Sequence, residues 1–410
     1  MARAGVRERV HDQGSDTELA RVAVVSAKGA RRWANGHPWI YRSDIARRPA
    51  SDAGAVRVVG TGGRPLGWAL WSPASQISLR LLDRDSSRAI DAGWWRSRIA
   101  ASLERRAELR ERGRDMATAY RLVHGEGDGC PSLICDRYDR WLIVQMMSAG
   151  LERFRSEIVA ALRDLTGAEG ILARNDAPPR AKENLPLEVA LLDGIVPDEI
   201  EVVEGRIRYA VAPWTGQKTG AFLDQRENRL MIGEVARGEA LDCFGYHGSF
   251  ALHMAGRARR VTSIDSSAPA LARARENAER NGITNISFIE ANAFEFLRAR
   301  NDDGTRFDTV VLDPPAFAKS RASVRSALRG YKEINLRAMR ILAPRGLMFT
   351  ASCSHHVTRP LFLEMLQDAA ADSGRTIMLR RLTGQPPDHP ELLTVPETSY
   401  LKGALLQAID

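Results

Sequence analysis

The sequence predicts an α/β protein: a parallel sheet covered by helices in its second half, with a small all-β module and a compact α+β module ahead of it. After Gly205, strand-like runs, Gly-containing loops and helical segments alternate, the pattern of a parallel sheet with helices on both faces. From Arg21 to about Leu82, short alternating apolar runs (RVAVVS, AVRVVG, GWALWS, ISLRLL) are broken by Gly, Pro and Asp, as in a β module. At 410 residues the chain exceeds one ordinary core, since domains run to about 100–200 residues.

Taken in order, residues 1–20 are charged, lack the apolar stretch of a secretion signal and read as a disordered tail. The β module fills 21–92. From Ala92 to about Gly113 the text is helical and heavily charged, which predicts a solvated helix linking two domains. It opens the α+β module of 93–200, whose strand-like runs surround one helix from Glu152 to Leu165. In 201–410, ALDCF precedes GYHGSFALHMAG, and RVTSID precedes a helix from Pro269 to Asn281. ISFIE then leads to a helix ending near Arg300, FDTVVLD to the PPAFAKS loop and a helix from Val324 to Ile341, and GLMFTASCS to another helix. Ligands of such sheets sit at the carboxyl ends of the strands.

The hydrophobic share of 44% and charged share of 27% are those of a soluble globular protein. No apolar run reaches the roughly 20 residues of a membrane span, so the chain is expected in the cytoplasm, off the membrane. Four cysteines are too few for a disulfide framework, and Cys130 and Cys135 lack a second pair at zinc-ligand spacing, so no metal is expected. Residues 1–120 hold 22 Lys and Arg against 13 Asp and Glu, whereas the remaining 290 hold 37 against 38. Six of the eight Trp (Trp33, Trp39, Trp68, Trp71, Trp94, Trp95) share that basic segment, which suits a polyanion with exposed bases. Arg-rich coding bias with Trp in small cores is the plainer alternative.

Four motifs carry chemistry. LDCFGYHGSF ends a strand in a turn with Phe244, Gly245, Tyr246 and Gly248 before a helix, where backbone N–H groups can meet a carboxylate or phosphate. Asp265, about 20 residues on, can accept from both hydroxyls of a ribose or simply cap the next helix. Turn and acid suit an adenosine-bearing cofactor without separating NAD from S-adenosylmethionine. Asp313-Pro314-Pro315 presents a carboxylate and rigid carbonyls to the amino and ring-nitrogen edge of a base, with Phe317 following in the same loop. Cys353, in TASCSHH at the next strand end, is placed to act as a thiolate that adds to carbon 6 of cytosine, making carbon 5 nucleophilic, with Asp313 serving ring nitrogen 3. A buried strand thiol is the bland alternative, and Cys243 is a rival. His355 and His356 adjoin the site without a metal-ligand partner.

These blocks, with HPWIYRSDIA, WSPASQISLRLL, GEGDGCPSLICDRY, WLIVQMMSAG, GQKTGAFLDQRENR, DHP and SYLKG, resemble bacterial large-subunit ribosomal RNA cytosine-5 methyltransferases of the RlmI type, from about Arg21 to the C-terminus. The resemblance implies an N-terminal PUA-like RNA-binding β-barrel, a central α+β domain and a Rossmann-like class I methyltransferase domain. It implies S-adenosylmethionine as cofactor, 5-methylcytosine in large-subunit (23S) rRNA as product, Cys353 as nucleophile and Asp313 as its acid. It adds Phe222, Gln225 and Arg226 as cofactor contacts. Asn292 stands where the family commonly has an Asp near the adenine, its amide oxygen still able to accept. His247, Ser249 and Ala316 also depart from the pattern. Methylation of an exocyclic amino group, a non-catalytic ribosome-assembly protein and a nicotinamide oxidoreductase are the competing readings. The sequence leaves oligomeric state, including a homodimer, open.

Overall fold

The structure, a computed structural model, describes residues 20–111, 117–318 and 320–410. The expected tail up to residue 19, the end of the charged helical stretch at 112–113, and Lys319 of the PPAFAKS loop lie outside the described residues. The chain divides into two compact units. One holds the chain up to Ser102 with Gly125–Ile134 and Val144–Gly194; the other holds Leu103–His124, Cys135–Ile143 and Ile195–Asp410.

The first unit opens with β1 (Val22–Val25), α1 (Ala27–Ala34), β2 (Trp39–Ile40), β3 (Ile45–Arg47), β4 (Gly54–Gly60), β5 (Pro65–Trp71) and β6 (Leu79–Asp83). They form one sheet in the order β2-β6-β5-β4-β1-β3 around a core of Val25, Trp33, Ile40, Val58, Ala69 and Leu79. The expectation of an all-β module is corrected by α1, which Ser26 caps by accepting the Gly29 N–H at 3.3 Å and which buries Trp33. Its insertion lets β1 run parallel to β4. The solvated helix is corrected too. In α2 (Ala92–Glu104) the side chains of Trp94, Trp95 and Ile99 are buried. Trp94 Nε1 donates to Asp83 at 2.9 Å, so charge covers only the outer face. Trp33, Trp71, Trp94 and Trp95 are thus core residues, as the plainer reading of the aromatic segment had it.

The chain continues through α3 (Ala107–Glu111), β7 (Ala119–His124), β8 (Leu133–Tyr138), β9 (Trp141–Met146), α4 (Ala149–Glu152), α5 (Arg155–Thr166), β10 (Gly170–Asn175) and β11 (Glu188–Gly194). The helix expected from Glu152 to Leu165 is α5, which starts three residues later, after a separate short helix that ends at Glu152.

In the second unit β12 (Ile200–Glu204) and β13 (Ile207–Val211) form a hairpin, followed by α6 (Arg226–Val235). Then come β14 (Glu239–Cys243), α7 (Ser249–Ala255), β15 (Arg260–Asp265), α8 (Ala268–Arg280), β16 (Ile286–Glu290), α9 (Ala293–Asp302), β17 (Phe307–Leu312), α10 (Val324–Arg340), β18 (Leu342–Ser352), α11 (Arg359–Ser373), β19 (Ile377–Thr383) and β20 (Lys402–Ala408). The sheet order is β16-β15-β14-β17-β18-β20-β19. Strands β14 to β18 are parallel, as the alternation predicts, while β20 inserts antiparallel between β18 and β19. Tyr331, Ile334, Ala338 and Phe362 cover one face, and Ile232, Phe250 and Met254 pack with Phe349 on the other. Strand order reverses between β14 and β17, which opens a crevice at their carboxyl ends. No helix among the described residues is long and apolar enough to cross a membrane.

Candidate active site

Beyond β14 the backbone of Phe244 (φ 65°), Tyr246 (φ 47°) and Gly248 (φ 83°) is left-handed, making a tight turn into α7. The Gly245 N–H donates to the Ile264 carbonyl at 2.9 Å, and a Cβ on Gly245 would lie 2.2 Å from Ser263 Oγ, so only glycine lets the turn lie on β15. The N-cap of α7 is Gly248, which has no side chain to spend on the helix's first N–H groups. At the end of β15, Asp265 accepts the Tyr246 N–H on one oxygen and the Ser267 N–H on the other, each at 2.9 Å. Each oxygen retains accepting capacity for a hydroxyl. The Phe222 and Tyr246 rings meet edge to face at 5.4 Å, and the Lys218 ammonium lies 4.4 Å over Phe222. Beside them is a cavity of about 270 Å³ whose lining includes Thr215, Gly216, Gln217, Tyr246, His247 and Arg273. Turn, ribose-type acid and aromatic wall fit an adenosine-bearing ligand.

Two of the residues expected as contacts have partners within the chain. Asn292 Oδ1 caps α9, accepting the Phe294 N–H at 2.9 Å and the Glu295 N–H at 3.4 Å, so both its lone pairs are engaged and Nδ2 is what can still bind. Arg226 is buried, and its guanidinium donates to both oxygens of Asp388 at 3.1 and 2.8 Å. It ties the loop around residue 225 to the DHP block.

Gln225 has a different partner from the one expected. Its Nε2 donates to Asp313 Oδ1 at 2.7 Å, while Asn228 Nδ2 donates to Gln225 Oε1 at 2.6 Å and fixes the amide that way round. Asp313 follows β17 and Cys353 follows β18, adjacent parallel strands. Desolvation, then the Asp224 carboxylate, push Asp313 up to about 6. Cys353 Sγ lies 4.0 Å from the Pro314 carbonyl. Desolvation and Asp313 push its thiol up to about 11, against the opposing charges of Lys218 and Lys402.

Ser354, the next residue, holds the thiol's segment in place. Ser354 Oγ accepts the Ala318 N–H at 3.1 Å and lies 2.9 Å from the Tyr331 hydroxyl, joining β18, the proline loop and α10. Pro315 is exposed, and Phe317 is braced 4.5 Å from the Tyr331 ring. Cys243 is fully buried in β14, which removes it as a rival. Among the described residues no group of three His, Cys, Asp or Glu could hold a metal.

Three supporting residues escaped the sequence reading: Asn228, Tyr331 and Lys402. Only Lys402, a charge inside the apolar run YLKGALL, left a usable signal.

Fold and crevice are those of an enzyme that takes an adenosine-bearing cofactor, and sequence comparison makes the chain an S-adenosylmethionine-dependent methyltransferase. Residues 121–406 match the S-adenosylmethionine-dependent methyltransferase family and residues 24–84 the PUA-like domain family. The ribosomal RNA large subunit methyltransferase I of Shewanella amazonensis is 40% identical over 376 residues, covering 90% of this chain and 94% of that one. The protein of that name from Klebsiella pneumoniae (strain 342) is 37% identical over 388 residues, covering 93% and 96%. The chain belongs to the ribosomal RNA large subunit methyltransferase I family. A Streptococcus mutans structure described as a SAM-dependent methyltransferase superposes with TM-score 0.80 at 22% identity, over 94% of this chain and 99% of that one. A methyltransferase structure solved with SAH gives 0.82 at 22% identity over the same shares. At such identity the likeness speaks for the fold.

Proposed function

We propose that this enzyme works in the cytoplasm and forms 5-methylcytosine in large-subunit (23S) ribosomal RNA through a covalent bond between Cys353 and the cytosine. The observation that carries this reading is the pairing of Cys353 and Asp313 at neighbouring strand ends, with the Pro314 carbonyl 4.0 Å from the thiol. Bound S-adenosylmethionine supplies an electrophilic methyl group on a sulfonium. The Gly245 turn, Asp265, Phe222 and Tyr246 hold it, with Asn292 Nδ2 as a further donor. Cys353 Sγ adds to carbon 6 as Asp313 gives a proton to ring nitrogen 3, and carbon 5 becomes enamine-like and takes the methyl group. Loss of the carbon 5 proton to a base, departure of the thiolate and return of the ring nitrogen 3 proton to Asp313 restore the ring, and the spent methyl donor would leave as its thioether. A carboxyl raised to about 6 holds a transferable proton near neutrality, which suits the acid's part.

RNA recognition is assigned to residues 21–92 and the transfer itself to 201–410, with 93–200 as the central domain. In the first unit Arg21, Arg57, Arg88 and Arg153 line a groove of about 780 Å³ with Trp68, over whose ring the Arg57 guanidinium lies at 5.3 Å. Cations beside an aromatic face favour single-stranded RNA.

The deciding experiment compares wild type and Cys353→Ala on a 23S rRNA transcript. Methylation lost in the variant, with a denaturant-stable adduct between wild type and 5-fluorocytosine RNA, supports the mechanism. Full activity in Cys353→Ala returns the reaction to an exocyclic amino group.

A further inference from the structure

Lys402 opens β20 directly opposite Ser352 in the antiparallel ladder with β18, one residue from Cys353. The residue is buried, at 3% exposure. Its Nζ donates to the carbonyls of Ser354 at 2.7 Å and Tyr400 at 2.8 Å. An ammonium has three N–H groups, so one remains after two neutral acceptors are served. No carboxylate stands within ion-pair distance of it among the described residues. A buried ammonium without a counter-ion is costly and is pulled toward neutrality.

Desolvation accordingly brings Lys402 down to about 8, and Arg359 of α11 adds to that, whereas Cys353 favours its charged form. The other groups acting on the thiol are known. Asp313 after β17 and Asp224 of the 218–225 segment disfavour a thiolate, Lys218 of that segment favours one, and Tyr331 of α10 feels its charge.

We propose that Lys402 is the positioning residue of the nucleophile, its ammonium serving as the built-in counter-ion of the Cys353 thiolate. This rests on the reading of Cys353 as the attacking thiol. The two carbonyl bonds fix the ammonium, and the cost of burying it is relieved when the thiolate forms. When the thiol loses its proton to solvent, the pair that remains is neutral overall.

The test is the pH dependence of Cys353 alkylation by iodoacetamide in the full chain. The Sγ–carbon bond forms, iodide leaves and the thiol proton passes to buffer. Cys130, Cys135 and Cys243 are fully buried, so the label reports Cys353, as peptide mass spectrometry verifies. Lys402→Gln keeps a donor amide without the charge and is expected to react about tenfold more slowly at pH 7, one pH unit of lost thiolate. That ratio shrinks toward one above about pH 9, where the wild-type lysine is itself neutral. Equal rates at pH 7, or a ratio constant with pH, overturns the proposal.

If thermal melting shows Lys402→Gln unfolded, Lys402→Arg replaces it. Arginine stays charged, so rates near wild type at pH 7, continuing to rise above pH 9, support the pair; a slow thiol in that variant overturns it. Methylation by Cys353→Ala is scored separately. Activity there removes the nucleophile reading, while alkylation reports the thiol and lysine in either case.

Discussion

Gln225→Leu is expected to move the pH dependence of methyl transfer through a carboxyl it does not itself carry. The Gln225 amide donates to Asp313 at 2.7 Å and is held in that orientation by Asn228. A hydrogen bond to a charged group is worth about 1.5–3 kcal/mol, or about one to two pH units. Losing it raises Asp313 from about 6 to roughly 7–8. At pH 7 the ionised fraction falls from about nine-tenths to between a half and a tenth.

On the proposed mechanism, transfer needs a protonated Asp313 and a deprotonated Cys353. Below the Asp313 pKa the wild-type kcat/KM therefore rises with pH as thiolate accumulates. Above it, further thiolate is cancelled by loss of the acid and the curve levels. The break near pH 6 should move up by one to two units in Gln225→Leu, measured with labelled methyl donor and an rRNA transcript between pH 5 and 9. Cofactor affinity is followed by calorimetry at each pH to separate binding from chemistry. A rate that climbs through pH 9 without a break in both proteins would refute the role given to Asp313.

Arg226→Met leaves Asp388 charged and buried, so stability should fall by about 3–5 kcal/mol in urea; Arg226→Met combined with Asp388→Asn should cost less than the two single losses added. If the losses simply add, the pair is not coupled. Gly245→Ala, whose new carbon meets Ser263 Oγ at 2.2 Å, is expected to lose about 1–3 kcal/mol and to weaken S-adenosylmethionine binding in calorimetry. Unchanged affinity would separate the turn from the cofactor. Asp242, fully buried at the end of β14, is raised by desolvation to about 7, above its unfolded value. Its contribution is complete below pH 4 and lost as pH rises through 7, so Asp242→Asn should gain on wild type by about 2–4 kcal/mol between pH 4 and 8. Parallel stability curves would contradict this.

The alternation after Gly205 was readable because each strand there is a short apolar run ending in a small or acidic residue, and the helices between them have sharp boundaries. Strand ends then located Asp265, Asp313 and Cys353 without any contact information. Local pattern could not show that Asn292 spends its oxygen on a helix cap or that Arg226 pairs with a residue 162 positions away. The charged stretch after Ala92 misled because composition outweighed position: Trp94, Trp95 and Ile99 share one buried stripe, and the arginines surround it. Lys402 was visible as a charge in an apolar strand, but its meaning came only from lying across the ladder from Ser352.

That ladder also sets a timetable for the enzyme. Strand β20 is laid down between β18 and β19, both of which precede it in the chain, and it carries Lys402. A growing chain can wind the five parallel strands as they emerge, yet the sheet stays open and the thiol lacks its lysine until residue 408 has left the ribosome. On the proposed roles the nucleophile is thus completed only after β18 and β19 are made, and a copy lacking β20 holds the cysteine without the charge that would arm it.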